Sequence, residues 1–291
     1  MVGNLKKLKV FFSTENSSLP KALDWFLDGA LIFLIIFTPL AVGSVGLISR
    51  SIMIFVIALI FLAWVIMQLL EGKKIFFPSA IIVSLLVFSF LVLLQLISLP
   101  ASLVDFLSPK ASLLHGALAL TEPSSAVFFQ LSINPHATLS ELMRLLSCVI
   151  IFYVIINHYN TKDKILRLIT IIVCVGLFIS LVALFQKLFW NGKLLWFIPV
   201  NSTRSPDMTF FWGPFVNHNH FAGFLLMIIP LSFGLLLSKF EKLRTLPGVT
   251  LGKRLVRITE SREFLPIVLI SLSCIIMTGM LLMTLSRGGF I

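Results

Sequence analysis

The sequence predicts an all-α polytopic membrane protein, and three observations carry that prediction. Hydrophobic residues make up 58% of the 291 residues, against roughly 45–50% in soluble domains. Charged residues are only 12%, about half the usual share. Apolar runs near the length of about 20 residues that a bilayer core of roughly 30 Å demands recur along the chain. These runs are continuously apolar and do not alternate at period two, which argues against a spanning β-barrel.

Taken in order, the runs place spans at residues 26–42, 47–70, 75–99, 142–159, 165–189, 218–238 and 264–285. Before the first lie Lys6, Lys7 and Lys9, followed by polar Ser13–Ser18, so no cleavable signal pattern is evident. Asp24 and Asp28 fall at the inner edge of that span and read as interfacial carboxylates, and Pro39 ends it. The segment 100–141 is a long loop of moderate hydrophobicity. Within it, Ala101–Leu120 is amphipathic, is interrupted by Pro109, and suits the membrane interface. Thr138-Leu139-Ser140-Glu141 reads as a capping box opening the fourth span. Glu141 and Arg144 are spaced for a local pair. Residues 190–217 form a second such loop, with Trp190, Trp196 and Trp212 suited to an interfacial belt. Residues 239–263 are a basic, solvated connector. No internal repeat or second domain stands out, so residues 1–291 are expected to form a single membrane domain.

The formal net charge is +11. The basic residues sit mainly between apolar runs, which points to topology and anionic lipid and not to nucleic acid. With the N-terminus in the cytoplasm, the inner segments hold sixteen of the 23 basic residues, from Lys6 through Lys73, Lys162 and Arg167 to Arg262. The outer set is Arg50, Lys110, Arg144, Lys187, Lys193, Arg204 and Arg287. That asymmetry follows the positive-inside rule. Cys148, Cys174 and Cys274 lie within apolar runs, match no zinc spacing, and read as small buried hydrophobes.

Two polar motifs sit at the expected outer ends of spans. Asn217, His218, Asn219 and His220 alternate at the mouth of the sixth. Polar groups entering a bilayer are costly and usually face a cavity or a partner, so these residues either line a polar pocket or cap the helix, with Asn217 as the N-cap. A metal is not expected, since His218 and His220 have no third ligand nearby in sequence. The second motif is Leu285-Ser286-Arg287-Gly288-Gly289. Arginine recognises phosphate through a planar, permanently charged fork, and glycine permits close approach. Arg287 therefore either binds an anion or snorkels to the interface. Arg204 is either a second cation for a diphosphate or a solvated loop arginine. His115, His136 and His158 carry no pattern. No phosphate-binding Walker loop is present. No carboxylate pair is expected inside a span, which argues against a proton-driven pump.

The pairing of Gly-Pro-Phe-Val-Asn-His-Asn-His-Phe-Ala (213–222) with Thr-Leu-Ser-Arg-Gly-Gly (284–289) resembles the O-antigen ligase and polymerase superfamily. Ser-Ile-Asn-Pro-His-Ala-Thr (132–138) is similar to members too. The resemblance covers most of the chain in layout, and its motifs are short. It implies a helical glycosyltransferase fold of the GT-C kind and inverting, metal-independent transfer with no cofactor. The donor would be a glycan on undecaprenyl diphosphate, at the outer face of the bacterial inner membrane. Arg287 matches the arginine that opens the family's conserved domain, which would start near residue 270, and would contact the diphosphate. The family's second arginine and its histidine base belong to a later outer loop. No residue of this chain matches them, so no catalytic residue is assigned, and the chain is expected to be the N-terminal part of a longer transferase, inactive alone. Membrane lipids and cell-envelope assembly proteins are the expected partners. A transporter or flippase of lipid-linked glycans, or a non-catalytic membrane subunit, is the alternative.

Overall fold

The structure is a computed structural model, and it describes residues 18–72, 79–119, 128–199, 212–244 and 263–290. The protein is mostly helical. In chain order the helices are α1 (Ser18–Leu40), α2 (Leu47–Glu71), α3 (Ala80–Leu94), α4 (Ala101–Leu107), α5 (Pro109–Ala119), α6 (Pro135–His158), α7 (Lys162–Leu188), α8 (His218–Arg244), α9 (Phe264–Met283) and α10 (Arg287–Phe290). A 3₁₀ turn at Val42–Ser44 follows α1. Two short antiparallel pairs join β1 (Ser98–Pro100) to β2 (Phe128–Gln130) and β3 (Lys193–Leu194) to β4 (Ile198–Pro199).

Among the described residues, six helices are long and apolar enough to cross a membrane: α1, α2, α6, α7, α8 and α9. The expected third span is the exception. Its helix, α3, has 15 residues, or about 22 Å at 1.5 Å per residue, short of a bilayer core. Ser79 caps it by accepting from the Ile82 N–H. Its last turn unwinds at Gln95–Ile97, and the chain enters β1 at Ser98. Residues 75–78 of that expected span lie outside the described residues. α1 also begins earlier than the hydropathy run, at Ser18, so Asp24 and Asp28 belong to its helical turns.

The described chain falls into two compact units. One takes in Ile54–His158 with the chain up to Asp28. In it α3 packs along α6, and buried Trp64 meets Tyr153 edge-on, ring centres 5.3 Å apart. α6 begins at Pro135, before the expected capping box. Proline at the first helical position loses only a donor that would be orphaned anyway, and Asn134 Oδ1 accepts from the Ala137 N–H at 3.1 Å. Thr138 Oγ1 lies 2.7 Å from Ser132 Oγ and does not cap the helix. Glu141 and Arg144 do pair. At the far end of α6, His158 is buried, its Nε2 3.4 Å from Asp24 Oδ1 and 3.9 Å from Asp28 Oδ1. This cluster corrects two expectations: His158 has a pattern, and Asp28 is a buried carboxylate.

The other unit takes in Gly29–Met53 and Tyr159–Ile291. Here α7, α8 and α9 pack on one another around Ile179, Leu225, Ile228 and Met277. In lipid, helix association rests on close packing, not on hydrophobic expulsion. Gly176 shows how tight the fit is: a Cβ there would sit 2.9 Å from Ile228 Cγ2 and 3.0 Å from Met277 Sδ. Two buried serines are satisfied locally. Ser180 Oγ donates to Gly176 O, and Ser232 Oγ lies 3.1 Å from Cys274 Sγ. Cys274 is buried as expected, whereas Cys148 and Cys174 are exposed on helix surfaces. An apolar residue on a spanning helix faces lipid as readily as protein, so apolar sequence alone does not separate the two. Near the C-terminal end of α8, Lys239 Nζ donates to Glu263 Oε2 at 2.6 Å.

Candidate binding pocket at the start of α8

The pocket is built from the C-terminal end of α7. Gln186 is buried there. Its Nε2 donates to Gly213 O at 2.9 Å, and its Oε1 accepts from the Leu195 N–H at 3.2 Å. One buried amide thus ties both loop segments to α7. Gly213 has φ +57°, and a Cβ there would lie 3.0 Å from Ala183 Cβ and 3.2 Å from its Cα. Only glycine meets both demands without strain. Trp212 and Phe215 then exchange two backbone hydrogen bonds across the turn. Trp212 stacks on Phe221, and Lys187 Nζ lies 3.8 Å over the Trp212 ring. Trp212 is therefore core, at 2% exposure, and not part of an interfacial belt.

This turn delivers the polar motif. Asn217 Oδ1 accepts from the Asn219 N–H at 2.8 Å, the bond of an N-cap on the second helical position. The capping reading of Asn217 is thus what the geometry supports. α8 runs from here for 27 residues. It carries the partial positive charge of a helix N-terminus at this end.

The second motif arrives from α9. Thr284 Oγ1 donates to Leu281 O and accepts from the Ser286 N–H, while Leu285 takes φ +52°. That left-handed residue reverses the chain, so the short α10 packs back against α8. Ser286 is 3% exposed, and its hydroxyl donates to Asn219 Oδ1 at 2.6 Å. Between the motifs is a cavity of about 490 Å³, lined by His218, Asn219, Ala222, Gly223, Leu226, Leu285, Ser286, Arg287 and Gly288.

The lining follows helical geometry. Positions 219, 222, 223 and 226 share one face of α8. His220, 100° further round, is exposed and lies off this wall, as does Asn217. His218, Asn219, Ser286, Arg287 and Gly288 do line the cavity. Arg204 lies outside the described residues. Ala222, Gly223, Leu226 and Leu285 escaped the sequence reading. Counting three, four and seven residues on from Asn219 would have found the first three. Gln186 escaped too, its only signal being a lone amide near the end of an apolar run.

Chemically, the cavity offers donors and a permanent cation: the guanidinium of Arg287, the Asn219 amide, whose oxygen accepts from Ser286, and the helix N-terminus. Ala222, Leu226 and Leu285 supply apolar lining beside them. Such a cavity suits an oxyanion joined to an apolar chain. Among the described residues, no three His, Cys, Asp or Glu side chains group as a metal site. No protein-family model, curated protein or solved structure matches the chain.

Proposed function

We propose that the chain binds a glycan carried on undecaprenyl diphosphate and serves its transfer to a lipid or sugar acceptor at the outer face of the bacterial inner membrane, in the manner of the O-antigen ligases and polymerases it resembles. The observation that carries the reading is the Ser286–Asn219 hydrogen bond, which joins the two resembling motifs into one cavity with Arg287 on its wall. In such a transfer an acceptor hydroxyl oxygen bonds to the anomeric carbon and loses its proton. The bond from that carbon to the diphosphate breaks, and negative charge grows on the leaving group. Arg287 would stabilise that charge, and it is worth most in a water-poor site. Arg204 is the proposed second cation. The base is not assigned: His218 and His220 do not match the family's position for it, and neither is given that role.

The test compares undecaprenyl diphosphate binding by the wild-type chain and by Arg287→Ala in lipid nanodiscs. Loss of a charge-assisted contact is worth about 1.5–3 kcal/mol, so affinity should fall roughly ten- to a hundredfold. Arg287→Lys should recover part of it, keeping the charge but not the fork. Equal binding by wild type and Arg287→Ala would sink the role of Arg287.

A second reading, transport of a lipid-linked glycan, gains support from His158 and Asp28. Ionisable residues buried in spanning helices commonly mark a substrate or proton path.

A further inference from the structure

We infer that α4 and α5 form a lipid-embedded elbow, lying in the headgroup layer with their exposed apolar faces turned into the acyl boundary. Neither helix crosses a membrane: they have 7 and 11 residues. Each nonetheless exposes large apolar side chains. α4 buries Val104 and exposes Leu103, Phe106 and Leu107, which are spaced i, i+3 and i+4 on one face. α5 buries Ala111 and exposes Leu113 and Leu114. Phe106 is 82% exposed and Leu113 is 73% exposed. Large apolar side chains clustered at a surface outside any span call for a cover.

Position identifies the cover. The elbow leaves from the end of α3 and returns to the start of α6. The two ends are held together by the Ser132 N–H donating to Gln95 O at 3.1 Å, by Gln130 Nε2 donating to Leu96 O at 2.9 Å, and by the β1–β2 pair. β1 begins four residues beyond α3, and the headgroup layer beyond the hydrocarbon core is only about 5–8 Å deep. β2, paired with β1, ends at Gln130, five residues before α6, which is long and apolar enough to cross a membrane, so the elbow starts beside a span end. His115 fixes its inner side, with Nε2 2.9 Å from Gln130 O and its ring stacked on Phe129. The packing of α4 on α5 holds the two faces together. Exposed Lys110, three and four residues before Leu113 and Leu114, is placed to reach lipid phosphate while its stem stays with the apolar face. Lying in the interface plane, the elbow would sink Leu103, Phe106, Leu107, Leu113 and Leu114 roughly 5–10 Å below the headgroups.

The test uses the full chain in vesicles of phosphatidylethanolamine with phosphatidylglycerol as minority lipid. Cys148, Cys174 and Cys274 are replaced by alanine, and spin labels are placed at Phe106→Cys, Leu107→Cys, Leu113→Cys and, as the polar control, Asp105→Cys. Collision with oxygen should exceed collision with a water-soluble nickel chelate several-fold at 106, 107 and 113, with the order reversed at 105. Preference for the nickel chelate at 106 and 113 overturns the inference by placing them in water. Exclusion of both reagents also overturns it, by showing a protein cover. Should the substituted chains fail to fold, a phospholipid with a photoactivatable group near its acyl carbonyl is applied to the wild-type chain. Cross-links within 101–119 support the elbow. Cross-links on α2 and α7 with none in 101–119 overturn it.

Discussion

Ser286 and Asn219, 67 positions apart in sequence, meet in a 2.6 Å hydrogen bond with the serine hydroxyl as donor. The bond decides what Asn219 offers the cavity. With Oδ1 accepting from Ser286, the amide plane is fixed, and its nitrogen holds two donors for a ligand. Both residues are small and polar, and each is set by a local device: the Asn217 cap on one side, the Leu285 reversal on the other.

Ser286→Ala should therefore weaken anion binding without disrupting the fold. Removing the bond costs about 0.5–1.5 kcal/mol and frees the Asn219 amide to rotate. Undecaprenyl diphosphate affinity in nanodiscs should fall roughly threefold to tenfold. Asn219→Asp should cost more, because it replaces two donors with negative charge beside an anion. In a double-mutant cycle, Ser286→Ala should add little once Asn219 is alanine. Fully additive losses would show that the two side chains act independently.

Gln186→Leu should do its damage through position. It leaves the Gly213 carbonyl and the Leu195 N–H without their partner. An unsatisfied buried polar group costs about 1–3 kcal/mol. The expected outcome is a lower thermal midpoint in detergent together with weaker undecaprenyl diphosphate binding, because the 212–217 turn carries His218 and Asn219 to the cavity. Hydrogen exchange should rise at 193–196 and 212–217 before it rises in the centre of α7. Uniform acceleration along α7 would contradict a local tether.

How much of this was legible in the sequence follows from what each feature depends on. Continuous apolar runs fixed six helices because a bilayer demands a minimum length, and α7 and α9 lie within a few residues of their expected bounds. The run at 75–99 holds a described helix of only 15 residues because hydropathy continues through Gln95–Ile97 and into β1, where backbone pairing with Phe128–Gln130 competes with helix. The motifs at 217–220 and 284–289 were visible as polar islands. Their meeting was not, since it needs the Gly213 turn and the packing at Gly176. Asp28 and His158 were misjudged for a related reason: they lie 130 positions apart on different helices, and only the fold places them side by side. The sequence reading also spread pocket residues over Asn217 and His220, whereas one helical face, set by Asn219, takes the role.

The His158 cluster yields the last prediction, which bears on the transport reading. Removing one member of a buried polar cluster costs about 1–3 kcal/mol where it leaves a polar group unsatisfied, whereas replacing both partners with apolar residues can be nearly neutral. His158→Leu and Asp28→Leu should each lower the thermal midpoint sharply, and the double variant should recover much of the loss. Asp24, whose side chain is 40% exposed, is placed to remain solvated beside His158, so Asp24→Leu should have the smallest effect of the three single changes. If the stable double variant still moves lipid-linked glycan across vesicles as well as wild type, the cluster is a helix staple and not a transport path. If movement is lost while the fold and undecaprenyl diphosphate binding are kept, transport gains over transfer, because the cluster would then be needed for movement and not for holding the ligand.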